Sequence, residues 1–185
     1  HGRTFGAMSA QQNKKYSKDY GPLLSGFKKI EFNNLNKLKD DINKNTAAII
    51  IEPARGQDAS IDYLKELKEL SESIGAVLIF DEITSGFRMC AGGIHRKYEV
   101  FPDIAVFAKS MANGYAMSAI IGTENVMQAA QSTFISSTNW TDAVGPAAAL
   151  ATVNKYIKNN VEDHIIDIGN KVKDVWQQAS DDFQI

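Results

Sequence analysis

Two ionisable residues follow long apolar runs in the chain and are the first candidates for chemistry. Asp81 ends the run "AVLIF", and Lys109 ends the run "IAVFA". A lysine amine is a nucleophile toward carbonyl groups, and a carboxylate can hold a proton on a nitrogen base. Both residues are predicted at the carboxyl ends of parallel strands, where open α/β sheets bind ligands. The two side chains could also simply pair with each other, so this pattern alone leaves both interpretations open.

The elements that position these residues are predicted from hydrophobic patterning. The segments 46–53, 76–82 and 104–108 each contain a continuous apolar run, which proline stops in the first segment and two acids end in the second. This pattern is typical of parallel strands that are covered on both faces. Between the first two runs, "ASIDYLKELKELSESIG" has apolar residues at helical spacing, with Ser60 or Asp58 as the N-cap and Gly75 just past its end. This order of strand, helix and strand forms a βαβ unit and predicts an α/β fold with a mainly parallel sheet.

Further elements are predicted on either side of this unit. A short helix is expected at residues 35–42 and another strand within residues 115–122. Two long helices are expected at residues 142–160 and 161–180, and the first is rich in small residues that allow close packing.

The composition excludes several classes of function. The chain has 185 residues, of which 44% are hydrophobic and 23% charged, and its net charge is −2. Without a basic face, nucleic acid is not expected as a partner. The single cysteine, Cys90, excludes an internal disulfide framework and is expected to be a small buried hydrophobe in a reducing cytoplasm. No apolar run approaches the roughly 20 residues that a membrane-spanning helix needs. The start "HGRTFGAMSA", without an initiator methionine, suggests a fragment or a processed product.

One cofactor chemistry requires both Lys109 and Asp81, each for a different reason. Pyridoxal phosphate forms a Schiff base with a lysine amine and needs a carboxylate beside its pyridine nitrogen, because the protonated ring is the electron sink. A lysine released by the substrate amine can then move a proton as base and acid. This chemistry favours the catalytic interpretation over the simple ion pair.

Several motifs of the chain, in order, resemble those of class III pyridoxal-phosphate aminotransferases of fold type I. They are "HGRTFGAMS", "IIIEPARG", "LIFDEITSGFR", "PDIAVFAKSMANGYAMSAIIG" and "SSTNWTDAVGPAAALATV". Within that family, glutamate-1-semialdehyde aminomutases and aminotransferases of surface-sugar pathways look most similar. The resemblance implies a three-layer sandwich, with residues 1–160 in the cofactor-binding large domain and residues 161–185 as a helix leading out of it. The family's N-terminal region and C-terminal small domain are expected to be missing.

The resemblance also implies roles for individual residues. Lys109 matches the Schiff-base lysine, and Asp81 matches the partner of the pyridine nitrogen. Ile83 matches the branched residue that packs under the ring, and Thr84 stands where relatives place a glutamine or methionine near the ring hydroxyl. His1 matches a histidine that lies near the cofactor in the family; the alternative interpretation of His1 is a disordered terminus.

Thr138 resembles the threonine that binds the cofactor phosphate in the site of the neighbouring subunit, although the surrounding "TNWTDAVG" departs from the family pattern. A homodimer with shared sites is therefore expected. The implied reaction moves an amino group between a small-molecule donor and a keto or aldehyde acceptor. The alternatives are the intramolecular transfer of glutamate-1-semialdehyde aminomutase and an inactive fragment of the large domain.

Other conspicuous residues receive structural interpretations. Glu52 is expected to pair locally and Arg88 to tie down its own loop. His95 and His164 are too isolated in the sequence to suggest a metal site. Packing roles are expected for Trp140 and Trp176, and turn roles with a positive φ for Gly56, Gly86 and Gly114.

Overall fold

A four-stranded sheet with flanking helices forms the framework of the protein. The computed structural model describes residues 1–136, 138 and 141–184. The strands of the chain are β1 (Ala48–Ile51), β2 (Ala54–Arg55), β3 (Gln57–Asp58), β4 (Val77–Asp81), β5 (Ile104–Phe107) and β6 (Ala119–Gly122). The helices are α1 (Phe5–Gln11), α2 (Lys14–Ser17), α3 (Leu35–Asp41), α4 (Ile61–Ile74), α5 (Ile94–Tyr98), α6 (Glu124–Gln128), α7 (Val144–Lys158) and α8 (Val161–Phe183).

The main sheet has the strand order β1-β4-β5-β6. β1, β4 and β5 are parallel, and β6 runs antiparallel at the edge. The short strands β2 and β3 form a separate antiparallel pair. The predicted α/β fold with a mainly parallel sheet is thus confirmed. The parallel strands bring the carboxyl ends of β4 and β5 to one edge, where Asp81 ends β4.

Helix α4 begins and ends at the residues that its sequence predicts. The Ser60 hydroxyl accepts a hydrogen bond from the Tyr63 N–H, so Ser60, not Asp58, is the N-cap. Gly75 follows the helix with φ 73°, a left-handed conformation that glycine adopts without steric cost. Tyr63, Leu64 and Leu67 of this helix are fully buried. Burying one such side chain contributes about 1.5–3 kcal/mol, so this helix anchors the sheet.

The two faces of the sheet differ in their cover. On one face, Leu78 and Phe80 are completely buried in a cluster with the buried residues of α4 and with Leu38 of α3. On the other face, Ile50 is 51% exposed and Ile120 60% exposed. The expectation that the 46–53 run is covered on both faces is therefore wrong for β1. Its apolar residues at this second face border a cavity instead.

The long helices at the end of the chain lie largely on the surface. α8 has no buried residue in its described part, and Trp176 is 72% exposed. The predicted packing role of Trp176 is therefore wrong, because its side chain lies on a helix that leaves it in solvent. Trp140 lies outside the described residues. Among the helices that are described, none is both long enough and apolar enough to span a lipid bilayer.

Candidate active site

Asp81 and Lys109 occupy the carboxyl-terminal edge of the sheet, as the sequence predicts. Asp81 is the last residue of β4 and is only 5% exposed. Lys109 lies two residues beyond β5, at the start of a short 3-10 turn (Lys109–Met111), and its side chain is exposed. The backbone of Lys109 is left-handed, with φ 49°. Such a conformation is strained in a residue that carries a β-carbon.

The side chains of Asp81 and Lys109 meet at His1. The backbone nitrogen of His1 lies 2.5 Å from Oδ2 of Asp81, and Nε2 of His1 lies 2.8 Å from Nζ of Lys109. The alternative of a direct ion pair between Asp81 and Lys109 is not seen among the described residues. Both groups instead face the same histidine, so the structure brings together three of the predicted site residues.

His1 also faces a second carboxylate. Its Nδ1 lies 3.5 Å from Oε2 of Glu52. This nitrogen is buried and has no hydrogen-bond partner in the part of the chain that is described. His1, Glu52 and Asp81 offer ligand atoms within 4.8 Å of one another, a spacing that suits a metal ion. Because Lys109 contacts the same histidine, this cluster belongs to the site around Lys109.

Thr84 and Ile83 complete the group. Nζ of Lys109 donates a hydrogen bond to Oγ1 of Thr84 over 3.0 Å. The Ile83 N–H donates to Oδ1 of Asp81 over 3.2 Å, which orients the carboxylate. A cavity of about 940 Å³ opens beside these residues, and His1, Asp81 and Ile83 line it together with the exposed face of the sheet.

Thr138 is the predicted site residue that the structure does not bring to the others. It is exposed in a turn and does not line the cavity. Its expected role concerns the site of a neighbouring subunit, so this position in a single chain leaves that prediction untested.

The residue that the sequence pattern missed is Glu82, which is completely buried. Its carboxylate accepts hydrogen bonds from the Ser85 hydroxyl, from the N–H groups of Ile94 and His95, and from Nδ1 of His95 at 2.8 Å. Burial raises the pKa of Glu82, but the hydrogen bonds from His95, Ser85 and the two backbone groups outweigh it and leave the pKa lowered. The sequence offers one signal for this role: Glu82 is a second acidic residue directly after a buried strand.

The remaining polar residues follow their structural interpretations. Glu52 pairs with Arg55 at 3.0 Å, three residues away. Arg88 donates from Nε to Oγ of Ser110 over 2.8 Å, and so ties its loop to the turn that carries Lys109. The expected burial of Cys90 is only partial; burial and the nearby carboxylates raise the pKa of its thiol, which disfavours a reactive thiolate.

The three turn glycines serve two different purposes. Gly56 and Gly114 have φ values of 72° and 101°, as predicted. Gly86 does not have a positive φ, so the prediction is wrong there. A β-carbon at Gly86 would lie 2.6 Å from Cδ1 of Phe107, so this position requires glycine for close packing.

Comparison with known proteins identifies relatives of this chain. An acetylornithine aminotransferase of Clostridium acetobutylicum is 34% identical over 91% of the chain and 44% of its own length. A [LysW]-aminoadipate semialdehyde/glutamate semialdehyde transaminase of Sulfolobus acidocaldarius is 30% identical over 100% of the chain and 49% of its own length. A putative enzyme of the same name from Pyrococcus horikoshii is 42% identical over 62% of the chain and 32% of its own length. The chain thus spans less than half of each of these relatives.

Solved structures agree with these matches. An ornithine aminotransferase from Toxoplasma gondii, whose active site is partially occupied by pyridoxal phosphate, superposes with a TM-score of 0.85. It is 27% identical, and the match covers 96% of this chain and 43% of that one. An N-acetylornithine aminotransferase from Stenotrophomonas maltophilia has a TM-score of 0.72 over 86% of this chain and 43% of its own; at 22% identity it supports the fold alone. The family model for "Aminotransferase class-III" matches residues 1–184, so the chain belongs to the class-III aminotransferases.

Proposed function

We propose that this chain is part of an enzyme that moves an amino group between a small-molecule donor and a keto or aldehyde acceptor, with pyridoxal phosphate as its cofactor. The observation that carries the proposal is that Asp81 and Lys109 both lie at the carboxyl-terminal edge of the parallel strands, where the Ile83 N–H orients the Asp81 carboxylate and the His1 side chain contacts the Lys109 amine. Membership in the class-III aminotransferases supports it.

The groups at this edge fit the proposed cofactor. The buried carboxylate of Asp81 and the branched apolar side chain of Ile83 line a cavity of about 940 Å³ together with His1. The Lys109 amine contacts the same His1 side chain. The buried Nδ1 of His1 lacks a hydrogen-bond partner among the described residues, which leaves a polar atom available to a ligand. When bound, pyridoxal phosphate supplies an electron sink through its protonated pyridine ring.

Each side chain has a separate task in this proposal. Lys109 holds the cofactor through its Nζ and, when free, accepts and returns a proton at that nitrogen. Asp81 would hold a proton on the ring nitrogen of the cofactor with a carboxylate that the Ile83 N–H keeps oriented. Ile83 would contribute an apolar contact to the cofactor, and Thr84 and His1 both contact the Lys109 amine. Thr138 binds the cofactor phosphate of a second subunit, which makes a homodimer necessary for a complete site.

The domain organisation is part of the same proposal. Residues 1–160 belong to the cofactor-binding large domain, and residues 161–185 form the helix that leads out of it. In support, the described part of α8 has no buried residue. The other parts of a complete enzyme, an N-terminal region and a small C-terminal domain, are expected outside these residues. A cytoplasmic location remains a prediction from the sequence.

Intermolecular transfer is favoured over the aminomutase reaction. The relatives described above are named aminotransferases or transaminases, and all of those names refer to ornithine, to acetylornithine or to semialdehydes. We therefore propose a donor whose reacting amine yields an aldehyde or keto product. The similarity to glutamate-1-semialdehyde aminomutases rests on the sequence motifs alone.

Binding of pyridoxal phosphate tests this proposal. The wild-type chain, Lys109→Ala and Lys65→Ala are titrated with the cofactor, and the absorbance of the lysine-linked form is followed. Lys65 is an exposed lysine on α4 and serves as the matched control. We expect the absorbance band in the wild type and in Lys65→Ala but not in Lys109→Ala. A band of equal size in all three proteins would contradict the proposal.

A further inference from the structure

The buried carboxylate of Glu82 organises residues 83–93, which lie between Glu82 and the start of α5 and which we call the 83–93 loop. Glu82 directly precedes this loop, and its side chain binds the N–H groups of Ile94 and His95, which directly follow the loop. The Ser85 hydroxyl within the loop donates to the same carboxylate. One side chain thereby holds the start, the interior and the far end of the loop together.

The network is closely packed at the far end of the loop, where a side chain at position 93 would have no space. A β-carbon at Gly93 would lie 2.4 Å from Nδ1 of His95 and 2.6 Å from Oε1 of Glu82. The His95 ring also packs against Phe107, the last residue of β5, with ring centroids 6.2 Å apart. The carboxylate network is therefore continuous with the strand that leads to Lys109.

The 83–93 loop in turn contacts the turn that carries Lys109. Thr84 accepts a hydrogen bond from the Lys109 amine, and Arg88 donates to Ser110. Phe87 packs with Phe107 and Met111 in a small apolar cluster. The loop thus contacts this turn through three of its side chains, those of Thr84, Phe87 and Arg88.

The conformation of Lys109 requires such support. Its φ of 49° is left-handed, and Phe87 in the loop has a φ of 55°. Non-glycine residues hold this conformation only where their surroundings impose it. Contacts between the loop and the turn connect these two positions.

We propose that Glu82 is a positioning residue: by fixing the 83–93 loop, it holds Thr84 and Arg88 against the Lys109 turn and so sets the orientation of the Lys109 amine. The inference rests on the proposed function only for the claim that this amine is the reactive group. The positioning itself is a property of the chain without cofactor, and it can be measured separately.

The test is trace labelling of the cofactor-free chain with acetic anhydride, followed by digestion and mass spectrometry. The ratio of acetylation at Lys109 to acetylation at the exposed Lys65 reports how firmly the Lys109 amine is held. Glu82→Gln is compared with Thr84→Val, which removes the acceptor directly, and with the double variant. Glu66→Gln is the matched control, because Glu66 pairs with Lys39 on the surface, away from the loop.

We expect Glu82→Gln and Thr84→Val to raise the ratio by similar factors, about three- to fivefold for the loss of one hydrogen bond. The double variant should show no more than Thr84→Val alone, because both changes act through the same contact. Glu66→Gln should leave the ratio unchanged. If Glu82→Gln does not fold, Ser85→Ala removes one donor from the carboxylate and should raise the ratio by a smaller factor.

Two results would overturn the inference. The ratio could stay at the wild-type value in Glu82→Gln, or in Ser85→Ala where Glu82→Gln does not fold, while Thr84→Val raises it. The effects of Glu82→Gln and Thr84→Val could also multiply fully in the double variant, as expected for a purely structural role of Glu82. Failure of the proposed function would look different: the labelling ratios would follow the expectation, but pyridoxal phosphate would not attach to Lys109.

Discussion

Gly86 lies where the 83–93 loop packs directly against Phe107, two residues before Lys109. A β-carbon at this position would lie 2.6 and 2.9 Å from two ring atoms of Phe107 and 2.8 Å from the carbonyl oxygen of Glu82. The carbonyl belongs to the backbone and Phe107 is 5% exposed, so neither neighbour can move freely. Overpacking of this kind costs about 1–3 kcal/mol. We therefore predict that Gly86→Ala lowers the free energy of unfolding by that amount.

Thermal unfolding followed by circular dichroism measures this effect. For a chain of this size, about 1 kcal/mol lowers the melting temperature by roughly 2–4 °C, so a fall of about 2–12 °C is expected. Gly169→Ala is the control, and it should raise the free energy of unfolding. A β-carbon at position 169 of α8 would have no neighbouring atom within 4 Å, and alanine stabilises a helix by about 0.5–1 kcal/mol relative to glycine. A Gly86→Ala protein as stable as the wild type would refute the packing argument.

Three further predictions concern ionisable groups. Because the pKa of Glu82 is lowered in the folded state, its ionised carboxylate stabilises the fold above the ordinary pKa of 4.5, and this contribution is lost as the pH falls through the lowered pKa. The free energy of unfolding of Glu82→Gln should therefore depend less steeply on pH in this acid range. An unchanged slope would contradict this. The buried hydroxyl of Tyr156 has no hydrogen-bond partner in the described part of the chain, and burial raises its pKa to about 12. Tyr156→Phe should therefore keep or raise the free energy of unfolding, by up to about 1 kcal/mol, in urea titrations; a clear loss would reveal a missed partner. The Asp81→Asn variant should still attach pyridoxal phosphate at Lys109, but amino transfer by the full-length enzyme should be slower by at least about 100-fold. A wild-type rate in this variant would contradict the proposed role of Asp81.

The framework of the site could be predicted because its signals are local. The apolar runs before Asp81 and Lys109 mark β4 and β5, and parallel strands bring their carboxyl ends to one edge. Helix α4 was equally clear, since its cap residues and apolar spacing lie within one short segment. These features depend on neighbours in the sequence rather than on the complete fold.

The network around Glu82 could not be predicted in this way. The hydrogen bonds to its carboxylate are donated by residues 85, 94 and 95. Only the irregular path of the 83–93 loop brings these residues to Glu82. The same reason applies to Gly86, whose restriction comes from Phe107 across the fold. The exposed Ile50 shows the converse case: an apolar run predicts that a strand can be covered on both faces but does not determine which segment covers it.

The claim that Lys109 is the reactive amine is tested most directly by reductive trapping. The purified chain is incubated with pyridoxal phosphate, reduced with borohydride, digested and examined by mass spectrometry. We predict a pyridoxyl adduct confined to Lys109, which would establish the cofactor and its attachment residue together. Adducts spread over surface lysines, in this chain and also in the full-length protein, would contradict the claim.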